Sequence, residues 1–489
     1  MIANINFKAI AAFLIMGAVA AFAGLIASTG SFLLAQLLVG MMGGIALLKV
    51  PNVSVWILLS VGLLYGVFAS YVPALSKLPW ALALVSMLLL LPVILKLLTS
   101  KNIPTFIWLA IIFMLYALTV TFVQWDSTAQ FLAGFKRYFQ MYGLMFALAL
   151  LAFKPSEYKL WLKLLLIIAL IQFPVALLQR FMLGDLDGGY GGAELTDRVA
   201  GTLGSSSEGG SASAQMAAFL IMAATFIIAR FKEALIEQKK AIYLCLICLI
   251  PLGLGETKIV IVLLPIVWLI LMRDDFKKNI SRSLVQFFIL LMLTAFFGLI
   301  YLGLNKGAIT GMTNADVLSQ TLEYNIGSQG YGTYLLNRTT VVGFWWLNHD
   351  WSDPLGLLLG HGLGSSYFSS GNAVFGNIAA NYIGYGIDLT SASSLLWDTG
   401  LLGFILFLSI FFAAWFTASR LRKDSKDPSV RADALAIQAC IVILLVFVFY
   451  DNTLVNILSF ELVYAAVLGY LGYLHHAHYA AKQSTPALI

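Results

Sequence analysis

The stretch "DRVAGTLGSSSEGGSASAQMAAFL", Asp197–Leu220, decides how the rest of the chain is read. It holds an arginine, Arg198, then a run of glycines and serines, then a helix start that passes into continuously apolar sequence. The apolar part, near 212–230, has the roughly 20-residue length that crosses a bilayer as a helix. A polar small-residue loop leading into such a span is the mark of a membrane protein's outer loop, and the question it raises is what the arginine is for.

Working outward from this stretch, similar spans lie near 8–28, 31–48, 53–72, 78–96, 104–124, 137–153, 160–182, 241–254, 259–272, 283–304, 399–418, 433–450 and 455–474. These predict an all-α polytopic membrane protein of about fourteen transmembrane helices, a single membrane domain over 1–489. The pair at 241–254 and 259–272 is short and joined by "GETK", so it is also readable as re-entrant. Composition agrees. The 489 residues are 61% hydrophobic and 11% charged, with mean hydropathy +0.91, against about 25% charged in soluble domains. A secreted protein behind a signal peptide is excluded because apolar spans recur to the C-terminus. Cys245, Cys248 and Cys440 fall within spans and read as small core residues without a disulfide.

The net charge of +6 does not point to nucleic acid, because the basic residues sit in short loops between spans. Most of the 29 Lys and Arg lie on the side of the termini. The other side holds only Lys77, Lys136, Arg137, Arg180, Arg198, Lys258, Lys306 and Arg338. That bias predicts cytoplasmic termini and two large outer loops, about 183–211 and 305–398. The second contains apolar runs, "LLNRTTVVGFWWL" and "PLGLLLGHGLG", expected to be amphipathic or re-entrant pieces at the membrane surface. Its aromatics, among them Trp345 and Trp346, are either an interfacial belt or a stacking surface for sugar rings.

Few charged residues face outward. Arg198 lies among Gly and Ser, and the helix after "GGSASAQ" begins with small residues that leave its first N–H groups open, an anion-binding end. An arginine beside it adds a bidentate phosphate clamp. Arg338 in "LLNRTTVVGFWWLNHDW", if helical, shares a face with Leu335, Val342 and Trp346. Near lipid it needs an anion, a polar cavity or a salt bridge to Asp350 or Asp353. Arg180 either snorkels to headgroups or joins the clamp. His349, His361 and Asp388 are base candidates, each equally readable as a satisfied loop residue; Asp398 caps or charges the start of the twelfth span. "HHAH" at 475–478 ends the last span on the cytoplasmic side and is not expected to bind metal. The chain has no P-loop and no dense carboxylate pair, so neither nucleotide nor metal cofactor is expected, and a sugar donor must carry its own activation.

The order and sidedness of these features resemble the O-antigen polymerase and ligase superfamily of bacterial cell-surface glycosylation, over roughly residues 130–470. The residues that carry the likeness are "DRVAGTLGSSSEGG", with Arg198 and Gly209 at a spacing familiar from Wzy-type polymerases, "LNRTTVVGFWW", "DPLGLLLGHGLGSS" and "LLWDTGLLG". Ligases of the family carry a histidine about eleven residues before the final G-L-L-G. Here that position is Leu389, which favours polymerase. The resemblance implies periplasmic glycosyl transfer at the inner membrane, polymerising undecaprenyl-pyrophosphate-linked repeats into O-antigen, capsule or exopolysaccharide with inversion. Arg198 and Arg338 would clamp the leaving pyrophosphate, while Arg180, Gly209, Trp345 and Trp346 would hold substrate. Membrane lipid and a chain-length regulator are the further partners. A ligase that moves polymer to lipid A core or protein, and a non-enzymatic lipid-linked sugar transporter, stay open. A transporter would place functional charges near the membrane midplane.

Overall fold

The computed structural model describes residues 49–69, 77–100, 102–181, 199–203, 211–255, 259–304, 334–349, 354–368 and 376–484, with single residues between them. Every regular element described is a helix. In chain order these are α1 (Pro51–Ala69), α2 (Leu78–Leu88), α3 (Leu90–Leu97), α4 (Thr105–Val123), α5 (Thr128–Phe139), α6 (Tyr142–Leu150), α7 (Pro155–Phe181) and α8 (Ser211–Lys232). They continue as α9 (Gln238–Leu249), α10 (Val260–Lys278), α11 (Ile280–Leu304), α12 (Thr340–Leu347), α13 (Pro354–Leu359), α14 (Ser391–Asp424), α15 (Pro428–Tyr450) and α16 (Leu458–Ser484).

Among the described residues, eight helices are long and apolar enough to cross a membrane, where about fourteen spans were expected. The first two expected spans, 8–28 and 31–48, lie outside the described residues. The span read at 137–153 begins earlier and breaks at Gln140–Met141 into α5 and α6, too short singly to cross. α10 carries Arg273, Asp274, Asp275, Lys277 and Lys278 in its last six residues, so its apolar part is short. The piece at 241–254 is α9 followed by one 3₁₀ turn, Ile250–Gly253. A fully hydrogen-bonded helix is what lets an apolar segment leave water without orphaned backbone groups.

The best-buried element is α6, all nine of whose residues are buried. It fits between α2 and α16 because small residues let backbones approach. A Cβ on Gly143 would fall 1.7 Å from the Ser86 carbonyl oxygen, and one on Gly472 would fall 2.4 Å from the Ala149 Cβ. The Ser86 hydroxyl accepts from the Leu144 N–H at 3.2 Å, locking the contact.

The bundle has two unlike ends. At the lower end, where α8, α10 and α14 finish and α15 begins, arginines meet carboxylates. Arg230 grips Asp433 with two bonds of 2.8 and 2.9 Å, and Tyr470 donates to the same carboxylate at 2.7 Å. Lys232 meets Asp275 at 2.7 Å, Arg422 meets Asp274 and Arg431 meets Glu233. The upper end, where α7 and α15 finish and α8, α14 and α16 begin, is where the candidate residues collect.

Candidate functional site

Arg198 and Gly209 lie outside the described residues, but residues 199–203 between them are described and buried. Glutamines on the inner face of α7 hold this segment. The Gln179 side-chain oxygen accepts from Ala200 N–H at 3.1 Å and Gly201 N–H at 2.8 Å, while its amide donates to the Gly201 carbonyl at 2.9 Å. Gln172 accepts from Thr202 N–H at 2.7 Å and donates to the Thr202 hydroxyl at 2.6 Å. From α8 the Ser213 hydroxyl donates to the Val199 carbonyl at 2.8 Å, and from α16 the Ser459 hydroxyl donates to the Leu203 carbonyl at 3.2 Å. Non-helical backbone inside an apolar bundle needs such partners for every polar group. Arg180, next to Gln179, is 6% exposed and therefore does not snorkel.

A second arginine sits at the same end. Arg137, in the last turn of α5, is 3% exposed. Its Nε donates to the Asn456 side-chain oxygen at 2.9 Å, and its Nη2 lies 3.4 Å from Asp388 Oδ2. The guanidinium also stacks over the Tyr367 ring, 4.1 Å from the centroid. Its Nη1 has no hydrogen-bond partner among the described residues. One turn on, Gln140 donates to the buried Glu461 at 2.6 Å. Buried ionisable side chains within an apolar bundle are expensive and tend to mark function.

Arg338 is half-buried. It precedes α12 and is not part of it, because the Asn337 side chain accepts from the N–H groups of Thr339 at 3.0 Å and Thr340 at 2.9 Å and holds a turn there. The expected helical face through Leu335, Val342 and Trp346 therefore does not include it. Its Nε donates to the Tyr450 carbonyl at 2.7 Å, and its guanidinium lies 4.2 Å from the Tyr450 ring centroid. Asp350 and Asp353, the expected ion-pair partners, lie outside the described residues.

The two arginines share the chain between α15 and α16. Asn452 donates to the Asp388 carbonyl at 2.9 Å, and Ser391 donates to the Asp451 carbonyl through both its N–H and its hydroxyl. Burial pushes the Asp388 carboxyl up to about 6 from 3.8, against the pull of Arg137. Burial likewise pushes Asp451 up to about 6, against Arg338 and the Asn452 N–H. Both groups lie outside the spanning helices and titrate near neutrality, where a general base works best.

Asp398 behaves differently. The helix α14 opens with a Thr390–Ser393 capping box and is interrupted at Gly400, whose φ of 65° and ψ of −172° suit only glycine. The interruption leaves carbonyls to be filled from elsewhere. Trp397 and Asp398 carbonyls accept from His361 and Gly362 N–H at 3.0 and 2.9 Å, and the Thr399 carbonyl accepts from Tyr116 at 2.9 Å. The fully buried Asp398 carboxylate accepts from Ser365 Oγ, Ser366 N–H, Gly364 N–H and Tyr138 OH at 2.7–3.1 Å. Asp398 thus fastens the "GHGLGSS" loop to α14; it does not cap the helix.

His349 and Trp345 are buried together with ring centroids 6.0 Å apart, and Trp345 belongs to a small satellite core with Trp397. His361 stands 6.2 Å from the Trp397 ring. Trp346 is 51% exposed, the more exposed of the aromatic pair. The structure therefore gathers Arg338 and Asp388 around one turn, with Arg180 at the same end, and places both histidines against the tryptophans of the aromatic satellite, which also includes Ile387 and Leu389 on either side of Asp388. Arg137 was visible in the sequence only as one of eight outward basic residues; its position at the end of "QFLAGFKR", ahead of an apolar run, is the signal.

No protein-family model matches the chain, and no curated protein matches it.

Proposed function

We propose that the protein is a membrane-embedded glycosyltransferase that extends a glycan carried on a lipid pyrophosphate, working at the upper end of the bundle as an O-antigen-type polymerase. One observation carries this reading: arginines are buried at the upper end close to carboxyls that burial pushes toward the protonated form. At the lower end arginine meets acidic side chains directly, as a satisfied rim does. At the upper end Arg137 is buried in an ion pair with Asp388, half-buried Arg338 acts on the buried Asp451, and Arg180 is buried next to Gln179.

In this reading a sugar hydroxyl attacks the anomeric carbon of the lipid-linked chain as the C–O bond to pyrophosphate breaks. Negative charge grows on the departing diphosphate, and guanidinium groups placed there bind the transition state more tightly than the ground state. Arg338 and Arg180, with Arg198, form the clamp. Asp388, one residue before the position where ligases of the resembled superfamily keep a histidine, takes the proton from the attacking hydroxyl. Attack opposite the leaving group inverts the anomeric centre. The excess of basic residues in the loops on the side of the termini supports a site on the opposite face, and the bacterial inner membrane comes with the resemblance to the O-antigen superfamily.

Purified protein given lipid-linked single repeats, without nucleotide or metal, should make a ladder of longer products. Arg338→Ala should lower the rate about 10²–10³-fold with folding retained. An unchanged ladder removes Arg338 from the chemistry, and retained anomeric configuration by product NMR rules out direct displacement.

A further inference from the structure

The short helix α13 and the turn after it are fastened well down the bundle. α4 has 19 residues, about 28 Å at 1.5 Å per residue, which matches a hydrocarbon core about 30 Å thick. Tyr116 stands roughly two turns, or about 10 Å, below its upper end at Val123. The Tyr116 hydroxyl donates to the Leu358 carbonyl at 3.2 Å and to the Thr399 carbonyl at 2.9 Å. α14 gives a similar level. Gly400 lies roughly two and a half turns below Ser391, whose N–H donates to the Asp451 carbonyl just past the end of α15. Gly360, with φ of 78°, is pressed against that kink, and a Cβ on it would fall 2.4 Å from the Gly400 nitrogen. From there the chain climbs. The Leu363 N–H donates at 3.0 Å to the hydroxyl of Thr121, which is about half a turn from the end of α4.

The outer side of this element is apolar. Leu355 and Leu358, one helical step apart on α13, are both exposed, while Gly356 between them is buried. The neighbouring helices are apolar and exposed at the same level: Leu115 beside Tyr116 on α4, and Leu402 and Ile405 just below Gly400 on α14. Both helices are long and apolar enough to cross a membrane, so these residues form a lipid-facing belt that the leucines of α13 extend. The backbone fits the same setting. The exposed part is helical, whereas in the irregular part Gly360 and residues 362–366 are buried. Around the turn the N–H groups of Gly360, His361 and Gly362 find the carbonyls of Gly356, Trp397 and Asp398. Irregular backbone at membrane depth is tolerated only where protein covers it and its polar groups are bonded.

We propose that α13 and the Gly360 turn form a re-entrant element that dips into the leaflet at the upper end, with Leu355 and Leu358 against phospholipid acyl chains. The loop that Asp398 fastens is then held from the lipid side as well as from α14. The proposal stands apart from the glycosyltransferase reading, and its test needs no turnover. Full-length protein in phospholipid nanodiscs carries a nitroxide on an encoded non-natural residue at Leu355 or Leu358, in separate variants, which leaves the three cysteines untouched. Power-saturation EPR compares collisions with oxygen, which concentrates in hydrocarbon, and with a water-soluble nickel chelate, which hydrocarbon excludes. The oxygen-to-nickel ratio at both leucines should match that at Leu115 within about twofold. It should exceed by at least about tenfold the ratio at Lys426, which is exposed in the loop between α14 and α15. A ratio like that of Lys426 would put α13 in water and overturn the proposal. Protection from both reagents would mean that a second copy or another protein covers the face, and would overturn it equally. Two exposed label sites keep the result independent of whether either label disturbs folding.

Discussion

At the scale of single residues, the upper end is a set of charges held against their solvation preference. Arg137 and Asp388 are the clearest pair. Removing the arginine leaves a buried carboxylate uncompensated, so Arg137→Ala should destabilise by about 3–5 kcal/mol, read as a fall in melting temperature in detergent. Arg137→Lys keeps charge but not the fork that reaches both Asn456 and Asp388, and should recover only part of the loss. The pH dependence has a definite sign. Asp388 binds its proton more tightly in the folded state, about 6 against 3.8, so its stabilising contribution is full below 3.8 and is lost as pH rises through about 6. Asp451 acts in the same direction. Thermal stability should therefore rise as pH falls from 7 to 5, and Asp388→Asn should flatten that slope. Activity should run the other way if Asp388 accepts a proton, falling about tenfold per unit below pH 6. A pH–rate profile without an acid limb near 6 would remove Asp388 as the base.

At the scale of elements, the kink in α14 is the device that builds the site's scaffold. Gly400 adopts a conformation closed to side chains, and a Cβ there would lie 2.5 Å from the Gly360 nitrogen and the Leu358 carbonyl oxygen. Gly400→Ala should cost on the order of 1–3 kcal/mol in backbone strain alone, more with the clash, and should loosen the loop that Asp398 fastens. Limited proteolysis within 360–368 reads that loosening; an unchanged cleavage pattern would mean the loop is held by Asp398 alone. The glutamines of α7 do the matching work for residues 199–203. Gln179→Leu removes three hydrogen bonds at once and should increase hydrogen exchange at Ala200 and Gly201 while the rest of α7 stays protected.

At the scale of the whole molecule, apolar helices run between an ion-paired rim and an end of buried polar residues. The rim fits a surface facing water, where such pairs are worth about 0–1 kcal/mol each. Disrupting the half-exposed Lys232–Asp275 pair by Lys232→Ala should accordingly leave stability within about 1 kcal/mol of wild type, whereas Gln140→Leu at the upper end, beside the buried Glu461, should not be so mild. Side-by-side chemical denaturation in the same detergent ranks the two. Equal losses would mean that the two ends are not physically distinct.

Apolar length and the scarcity of charge sufficed, from the chain's order of residues alone, to read helices long and apolar enough to cross a membrane. Hydropathy is a local property, and a helix in lipid must satisfy its backbone within its own segment, so both are written in consecutive residues. The breaks at Gln140 and Gly400, the pairing of Arg137 with Asp388 across 251 positions, and the use of Asp398 to pin a loop were not legible there. Each depends on which distant segment fills an exposed carbonyl or faces a buried charge. Only the packed bundle brings those partners within hydrogen-bonding reach, and burial in that packing is what moves two carboxyls toward neutrality.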